Sequence, residues 1–575
     1  MLPASAGSFV LLTKLFSGVI IRAGGDYMIS EIKSINGQPT LTVDGRPLPQ
    51  MAYITYIPEN NRYSDFAGAG VGLYSVNLNF SEMPINEKAP VLVFQKGIFE
   101  KETPDFSIVN RNFDAILSAC PDAYIFPRVN VNPSREWEKS HPDELCEYGR
   151  NGRTRASFAS DLWAQEVESC LMQLVDYIEN SPYADHVIGY QLAGGNTDEW
   201  FPFDEYGFYG KRAKEKFLTY CEKNQCAKNE ENYFKFASET IADRIIALAT
   251  ATKKATDNKK LVGAFYGYTI GCPNRNLCHL ALGRLLESDA VDFLCSPLTY
   301  VYGRQAGFDT YPLIPVGSAK HHGKLYFSEN DIRTHLSRPV SPHPNYSVKI
   351  WTGPKKEISL EQLRLNFSRA FIYGYGMWWF DMWGGWYNDP DFMAAFSKMA
   401  EICRDGADRP ECDVAVFTDE SCYFGLPAHK NIIWHTCKQL GLSGAMNEVF
   451  LASDFDEVYN NYKACIFVQP AETPLLSACI ERARRDGKAV MLVTEDDAEL
   501  TSADFRKFLS AAGVQTAERD AVIYTGEKHI CFYAHEKDVY DFEADGKKTF
   551  TDLFTGEEIS FPREIKNTVC WLFSR

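Results

Sequence analysis

Between residues 50 and 381 short runs of apolar, β-branched and aromatic residues alternate with stretches of helical periodicity, and this rhythm limits the fold more than any other feature. The strand-like runs fall at residues 50–56, 72–79, 123–130, 186–192, 261–266, 291–295, 324–329 and 376–383. Helical spacing of apolar residues is clear at 110–119, and at 160–178 it follows a Ser-Asp start suited to capping. Strands separated by helices pair in parallel, because only a crossover connection can return the chain to the same end of the sheet. Eight such units in succession predict a (β/α)8 TIM barrel.

The flanking segments read differently. Residues 29–33 and 40–46 alternate around turn residues, which predicts a hairpin plugging the barrel floor. Residues 1–28 form an N-terminal extension whose apolar run at 9–21 is broken by Lys14 and has no basic segment before it. It reads as neither a secretory signal nor a membrane span. Beyond residue 405, buried-type strands at 413–417, 464–468 and 489–493 alternate with helical stretches such as 473–486, predicting a smaller open α/β domain of flavodoxin or glutaminase type over 406–512. Strands at 522–524, 529–533, 549–551 and 569–573, separated by Asp-Gly and Thr-Gly turns, predict a small β-domain over 513–575. The barrel, with its hairpin, then occupies 29–405.

Composition narrows the function. With 575 residues, 45% of them hydrophobic and 14% aromatic, the chain can fill several large cores. A net charge of −17 argues against nucleic acid or an anionic membrane as a partner, since both require clustered Lys and Arg. The 16 cysteines are scattered, without the tight CxxC spacing and neighbouring histidines of a zinc site. They read as reduced core residues, which suits a cytoplasmic location. No metal and no cofactor is expected.

The chemistry is expected at two strand ends. The seventh strand stops at Glu329 and turns polar through Asn330, Asp331 and Arg333, as a barrel strand does when it delivers a reactive group to the C-terminal rim. The fourth strand runs into Gly194-Gly195-Asn196-Thr197-Asp198-Glu199-Trp200. The Gly-Gly pair permits a tight turn, two acids follow, and a Trp beside a carboxyl can raise its pKa and stack on a sugar. Strands four and seven face each other across a barrel mouth, so the two carboxyls there can flank one bond as acid/base and nucleophile. Tyr300, Tyr302, Trp378, Trp379, Trp383 and Trp386 crowd the same rim with Trp200, offering flat apolar faces to a pyranose. Asp381 sits among them as a sugar ligand or a turn residue.

The order of these segments, with Val43-Asp44-Gly45-Arg46-Pro47 in the hairpin, Pro127-Arg128 on strand three and Glu329-Asn330-Asp331-Ile332-Arg333-Thr334 on strand seven, resembles clan A glycoside hydrolases. It most resembles the three-domain β-galactosidases of glycoside hydrolase family 42, over roughly residues 30–575. The resemblance implies a retaining, exo-acting β-glycosidase on small oligosaccharides, with β-galactosides first and β-mannosides or β-glucosides next. It also implies a homotrimer built through the α/β domain. Glu329 would be the nucleophile and Glu199 the acid/base, with Arg128, Asn196, Asp198, Trp200, Tyr300, Asn330, Arg333, Trp379, Asp381 and Trp383 contacting the sugar. The chain departs from the family where the acid/base directly follows an Asn. Here Thr197-Asp198 separates Asn196 from Glu199, so Asp198 stays open as the acid, and a non-catalytic carbohydrate-binding protein on the same fold stays open as an alternative.

Overall fold

A computed structural model of the chain describes residues 28–84, 94–147, 155–202, 210–270, 275–300, 304, 306–337, 351–426, 432–497 and 499–575. The apolar run at 9–21 and Tyr302 lie outside them.

The eight barrel strands are β1 (Met51–Ile54), β2 (Leu73–Tyr74 and Asn77–Asn79), β3 (Tyr124–Ile125 and Arg128–Asn130), β4 (Gly189–Ala193), β5 (Leu261–Phe265), β6 (Phe293–Pro297), β7 (Leu325–Asn330) and β8 (Gly376–Phe380). Every neighbouring pair is parallel. β8 pairs back onto β1, and the two halves of β2 and β3 close the ring. Side chains alternate across this wall as period-2 geometry requires. On β7, Leu325 and Phe327 enter the interior cluster with Phe126, Phe265, Phe293 and Trp378, while Tyr326 joins the layer between strands and helices.

The hairpin Ser30–Ile35 and Gln38–Val43 turns through Asn36-Gly37, both left-handed at φ 52° and 74°. Its Leu41 and Val43 belong to the barrel-interior cluster, and the Ser30 amide bonds the Lys259 carbonyl, so the hairpin closes the floor.

Helices that matter below are α1 (Ser107–Ala119), α2 (Asp161–Glu179), α3 (Glu230–Ala255), α4 (Lys356–Tyr373) and α5 (Pro390–Ile402). α2 starts where the Ser160 hydroxyl accepts the Trp163 amide at 3.0 Å, the cap that its Ser-Asp start foretells.

The following domain holds β9 (Val414–Thr418), β10 (Asn447–Leu451), β11 (Ala464–Val468) and β12 (Ala489–Val493), all parallel in the order β10-β9-β11-β12, the doubly wound arrangement. Its helices include α6 (Ile432–Leu442) and α7 (Pro474–Arg485). β10 escapes the sequence reading because it opens on Asn447-Glu448, which breaks the apolar run. The C-terminal β-domain pairs β13 (Ala521–Thr525), β14 (His529–Ala534) and β15 (Cys570–Ser574) antiparallel, with two short two-stranded antiparallel sheets beside them. The described cysteines are free thiols. Among the described residues no helix is long and apolar enough to cross a membrane.

Candidate active site at the barrel mouth

β7 sets the first group. Glu329 continues the inward face begun by Leu325 and Phe327, and lies level with Pro297 of β6 and Trp378 of β8. It is 2% exposed, and its Oε2 stands 3.6 Å from Nη1 of Arg128, itself fully buried. Arg128 comes from β3, level with Asn77 of β2 and Gln191 of β4. Its guanidinium lies 5.0 Å from the Phe265 ring centre and 5.7 Å from that of Tyr56, and its Nη2 donates to the carbonyls of Asp198 and Thr197 at 3.1 and 3.4 Å. A buried cation is tolerated only with such partners. Glu329 Oε2, Arg128 Nε and Nη1 and both amide atoms of Gln191 find no hydrogen-bond partner in the protein, which is the condition of a surface built to meet a polar ligand.

The loop after β4 is strained. Besides Gly195 at φ 70°, the non-glycine residues Thr197, Asp198 and Trp200 are left-handed at φ 59°, 63° and 60°. Each such residue costs about 1 kcal/mol or more, so the surroundings must over-determine the path. They do so from four sides. Asn132 grips the N–H and C=O of Gly195 at 2.9 and 3.0 Å, Arg128 takes two carbonyls, and Asn77 and Asn130 donate their amides to the two oxygens of Asp198. Trp200 is driven inward, its indole N–H donating to the Leu192 carbonyl at 3.0 Å. A Cβ on Gly195 would come within 2.3 Å of the Phe201 carbonyl oxygen.

This path separates the two acids. Asp198 is clamped against β2 and β3. Burial raises its proton affinity, and Arg128 with the two amides opposes that rise. Glu199 instead accepts the Thr197 hydroxyl at 2.7 Å and lies 3.4 Å from the Tyr268 hydroxyl. Burial pushes its carboxyl up to about 7 against those hydroxyls and Arg128, with Asp331 adding to the rise. Glu329 is raised well above the carboxylate range by burial, with Arg128 opposing and Asp331 and Glu199 adding. Asp198→Ala would leave the Asn77 and Asn130 amides buried without acceptors. We expect a loss of about 2–3 kcal/mol in denaturant unfolding, whereas Glu199→Gln should unfold like the wild type.

β6 and the β7 loop complete the wall. Asp331, fully buried, pairs with Arg304 at 2.5 Å, and the Arg304 guanidinium lies 4.1 Å from the Tyr300 ring centre. Tyr300 runs parallel to Tyr268 at 6.5 Å, which brings the pair round to Glu199.

Arg128, Asp198, Glu199, Tyr300 and Glu329 therefore lie together. Trp383 and Arg333 stand at the rim, Trp383 5.9 Å from Tyr56 and Arg333 5.7 Å from the Trp386 ring. Asn196 contributes its backbone, bridging to Phe201.

Four residues expected to contact a sugar do not face the mouth. Trp200 is fully buried as described. Trp379 points out of the barrel onto Phe396 of α5 at 4.7 Å, because Trp378 takes the inward register on β8. Asn330, one step past Glu329, likewise turns outward, where its Oδ1 accepts the Asn366 amide of α4 at 3.0 Å. Asp381 caps its own loop, accepting the amides of Gly385 and Trp386 at 2.9 and 2.8 Å.

Sequence reasoning missed Tyr56, Asn77, Asn130, Tyr268, Arg304 and Asp331. All but Arg304 lie within a few residues of a strand's C-terminal end, and that position was the available signal. Among the described residues no group of three or more His, Cys, Asp and Glu side chains is placed to hold a metal ion.

The same arrangement of strands and domains occurs in solved structures. A catalytic mutant of the GH42 β-galactosidase from G. stearothermophilus matches at TM-score 0.57 and 9% identity, covering 92% of this chain and 98% of that one. The β-galactosidase from Rahnella sp. R3 matches at TM-score 0.59 and 10% identity, with the same coverage of 92% and 98%. A GH42 exo-carrageenase from Bacteroides ovatus matches at TM-score 0.58 and 12% identity, covering 96% of this chain and 85% of that one. The fold is that of glycoside hydrolase family 42. No protein-family model and no curated relative matches the chain by sequence. At identities this low the likeness is one of fold, and the roles of individual residues have to come from the geometry.

Proposed function

We propose that the protein is a retaining, exo-acting β-glycosidase of small β-linked oligosaccharides, with β-galactosides its first substrates and β-mannosides or β-glucosides next. The observation that carries this reading is the division of labour between two buried carboxyls on opposite sides of one mouth. Glu199 sits among hydroxyls with its proton affinity pushed up to about 7, while Glu329 lies against the Arg128 guanidinium. Burial raises both carboxyls and Arg128 opposes both rises; the anion is assigned to Glu329 because the guanidinium stands 3.6 Å from it, and the proton to Glu199.

Double displacement then follows. Glu329 attacks the anomeric carbon as Glu199 gives its proton to the departing oxygen. Glu199 next takes a proton from water, and that water releases the sugar from Glu329. This requires the carboxyls to stand about 5–5.5 Å apart once a sugar is bound. The galactoside preference comes from the β-galactosidases sharing the fold and exo action from the exo-carrageenase.

A panel of nitrophenyl glycosides is the test. Cleavage of β-galactoside, β-mannoside or β-glucoside supports the reading, and a protein that cleaves none of the panel refutes it in favour of a binding protein. Because each displacement inverts the centre, the first-formed sugar should be the β-anomer. Proton NMR of the anomeric signal in the first minutes reads this directly, and an α-anomer appearing first would remove the double displacement.

A further inference from the structure

The loop that follows β6 is held at its far end by another domain. The Gly307 N–H donates to the Tyr533 hydroxyl at 2.9 Å, and its carbonyl accepts from Nδ1 of His535 at the same distance. Tyr533 lies on β14 of the C-terminal β-domain and His535 directly follows it. The approach is backbone to backbone: Gly307 is left-handed at φ 92°, and a Cβ there would fall 2.1 Å from the His535 carbonyl oxygen. The next three residues are tied as well. Phe308 packs on His535 with ring centres 4.6 Å apart and lies 4.2 Å under the Lys438 ammonium of α6. Asp309 is bound by Arg369 of α4 and by the Tyr524 hydroxyl of β13 at 2.5 Å. Thr310 reaches Asn366 at 2.7 Å, the same side chain that holds Asn330 beside Glu329.

At its near end this loop carries Arg304, 3% exposed and fully engaged. It donates to the carbonyls of Thr299 and Leu298 at 2.9 and 3.0 Å, pairs with Asp331, and stacks on Tyr300. Only Gln305 and Ala306 separate Arg304 from Gly307 along the chain.

We propose that Tyr533 and His535 are positioning residues for the active site, fixing through Gly307 the loop whose Arg304 neutralises Asp331 at the barrel mouth. The inference rests on the glycosidase reading for its consequence. Glu329 is faced by Arg128, Arg304, Asp331 and Glu199, with the Tyr56 and Tyr300 phenols nearby. Glu199 is faced by Arg128, Asp331, Thr197 and Tyr268. If Arg304 is released, Asp331 keeps only the Arg333 guanidinium against its charge, and the two carboxyls beside it hold their protons to higher pH.

Tyr533→Phe and His535→Ala in the full chain test this. Tyr462→Phe, which deletes a hydroxyl bond to Glu448 in the α/β domain, is the control. Amide hydrogen exchange across residues 306–312 should rise about tenfold or more in the two clamp variants and stay at the wild-type level in the control. Both limbs of the pH dependence of kcat/KM should also move upward. A carbon-13 titration of labelled glutamates reads the same upward shift without turnover. Unchanged exchange in the loop overturns the proposal. So does faster exchange with neither carboxyl shifted, since the β-domain then only buttresses the loop. If no glycoside is cleaved but exchange and titration move as expected, the glycosidase reading fails and the clamp stands.

Discussion

Glu329→Ala is expected to lower kcat/KM on an activated β-glycoside by about 10³-fold or more, and added azide to restore turnover. If double displacement operates, removing the carboxylate deletes its covalent intermediate, and the strand stays in place because β7 is paired on both sides of Glu329. The position it vacates lies against Arg128, so the replaced side chain leaves an anion-seeking guanidinium facing the anomeric carbon. Azide attacking from that side gives an α-glycosyl azide, since one displacement inverts the β-linkage. Retention of near-wild-type rate in Glu329→Ala, or rescue that yields a β-azide, excludes Glu329 as nucleophile.

Glu199→Gln should give the second large effect, and one that depends on the leaving group. Nitrophenolates with low pKa depart without a proton, so their glycosylation should stay within a few-fold of wild type. Alkyl and sugar leaving groups should slow by about 10²–10³-fold. The pH profile gives a second reading of the same role. A general acid works only while protonated, and Glu199 is raised to about 7, so wild-type activity should fall as pH rises through that value. In the Gln variant this alkaline limb should vanish. The same leaving-group pattern in Asp198→Asn would transfer the role to Asp198, whose two carboxylate oxygens are taken by the Asn77 and Asn130 amides.

The barrel was legible because its period is written into the chain, and Glu199 and Glu329 could be singled out as candidates because strand ends are where a barrel exposes its chemistry. What failed was parity and distance. Trp378 and Trp379 look alike in sequence, yet the pairing of Glu329 with Trp378 puts only the first inside. Asn330 and Asp381 look like sugar ligands, but a polar side chain near a strand end also satisfies amides, and here those needs come first. Arg304 and Asp331 gain meaning only as a pair, and local pattern cannot announce a partner 27 residues away. The Thr197-Asp198 offset leaves two acids open in the sequence. The left-handed backbone sends the two apart, Asp198 toward β2 and β3 and Glu199 toward Tyr268.

That left-handed turn bears on any attempt to transplant the acid into another scaffold. Residues 194–201 carry the strain, while the forces that hold it come from Asn77, Arg128, Asn130 and Asn132 on neighbouring strands. Cut out alone, the segment would relax to an ordinary turn, because three non-glycine residues in the left-handed region have no local reason to remain there. The portable unit is the octapeptide together with those four side chains, spread over three strands and their loops, and a graft that copies the motif without them copies the wrong part.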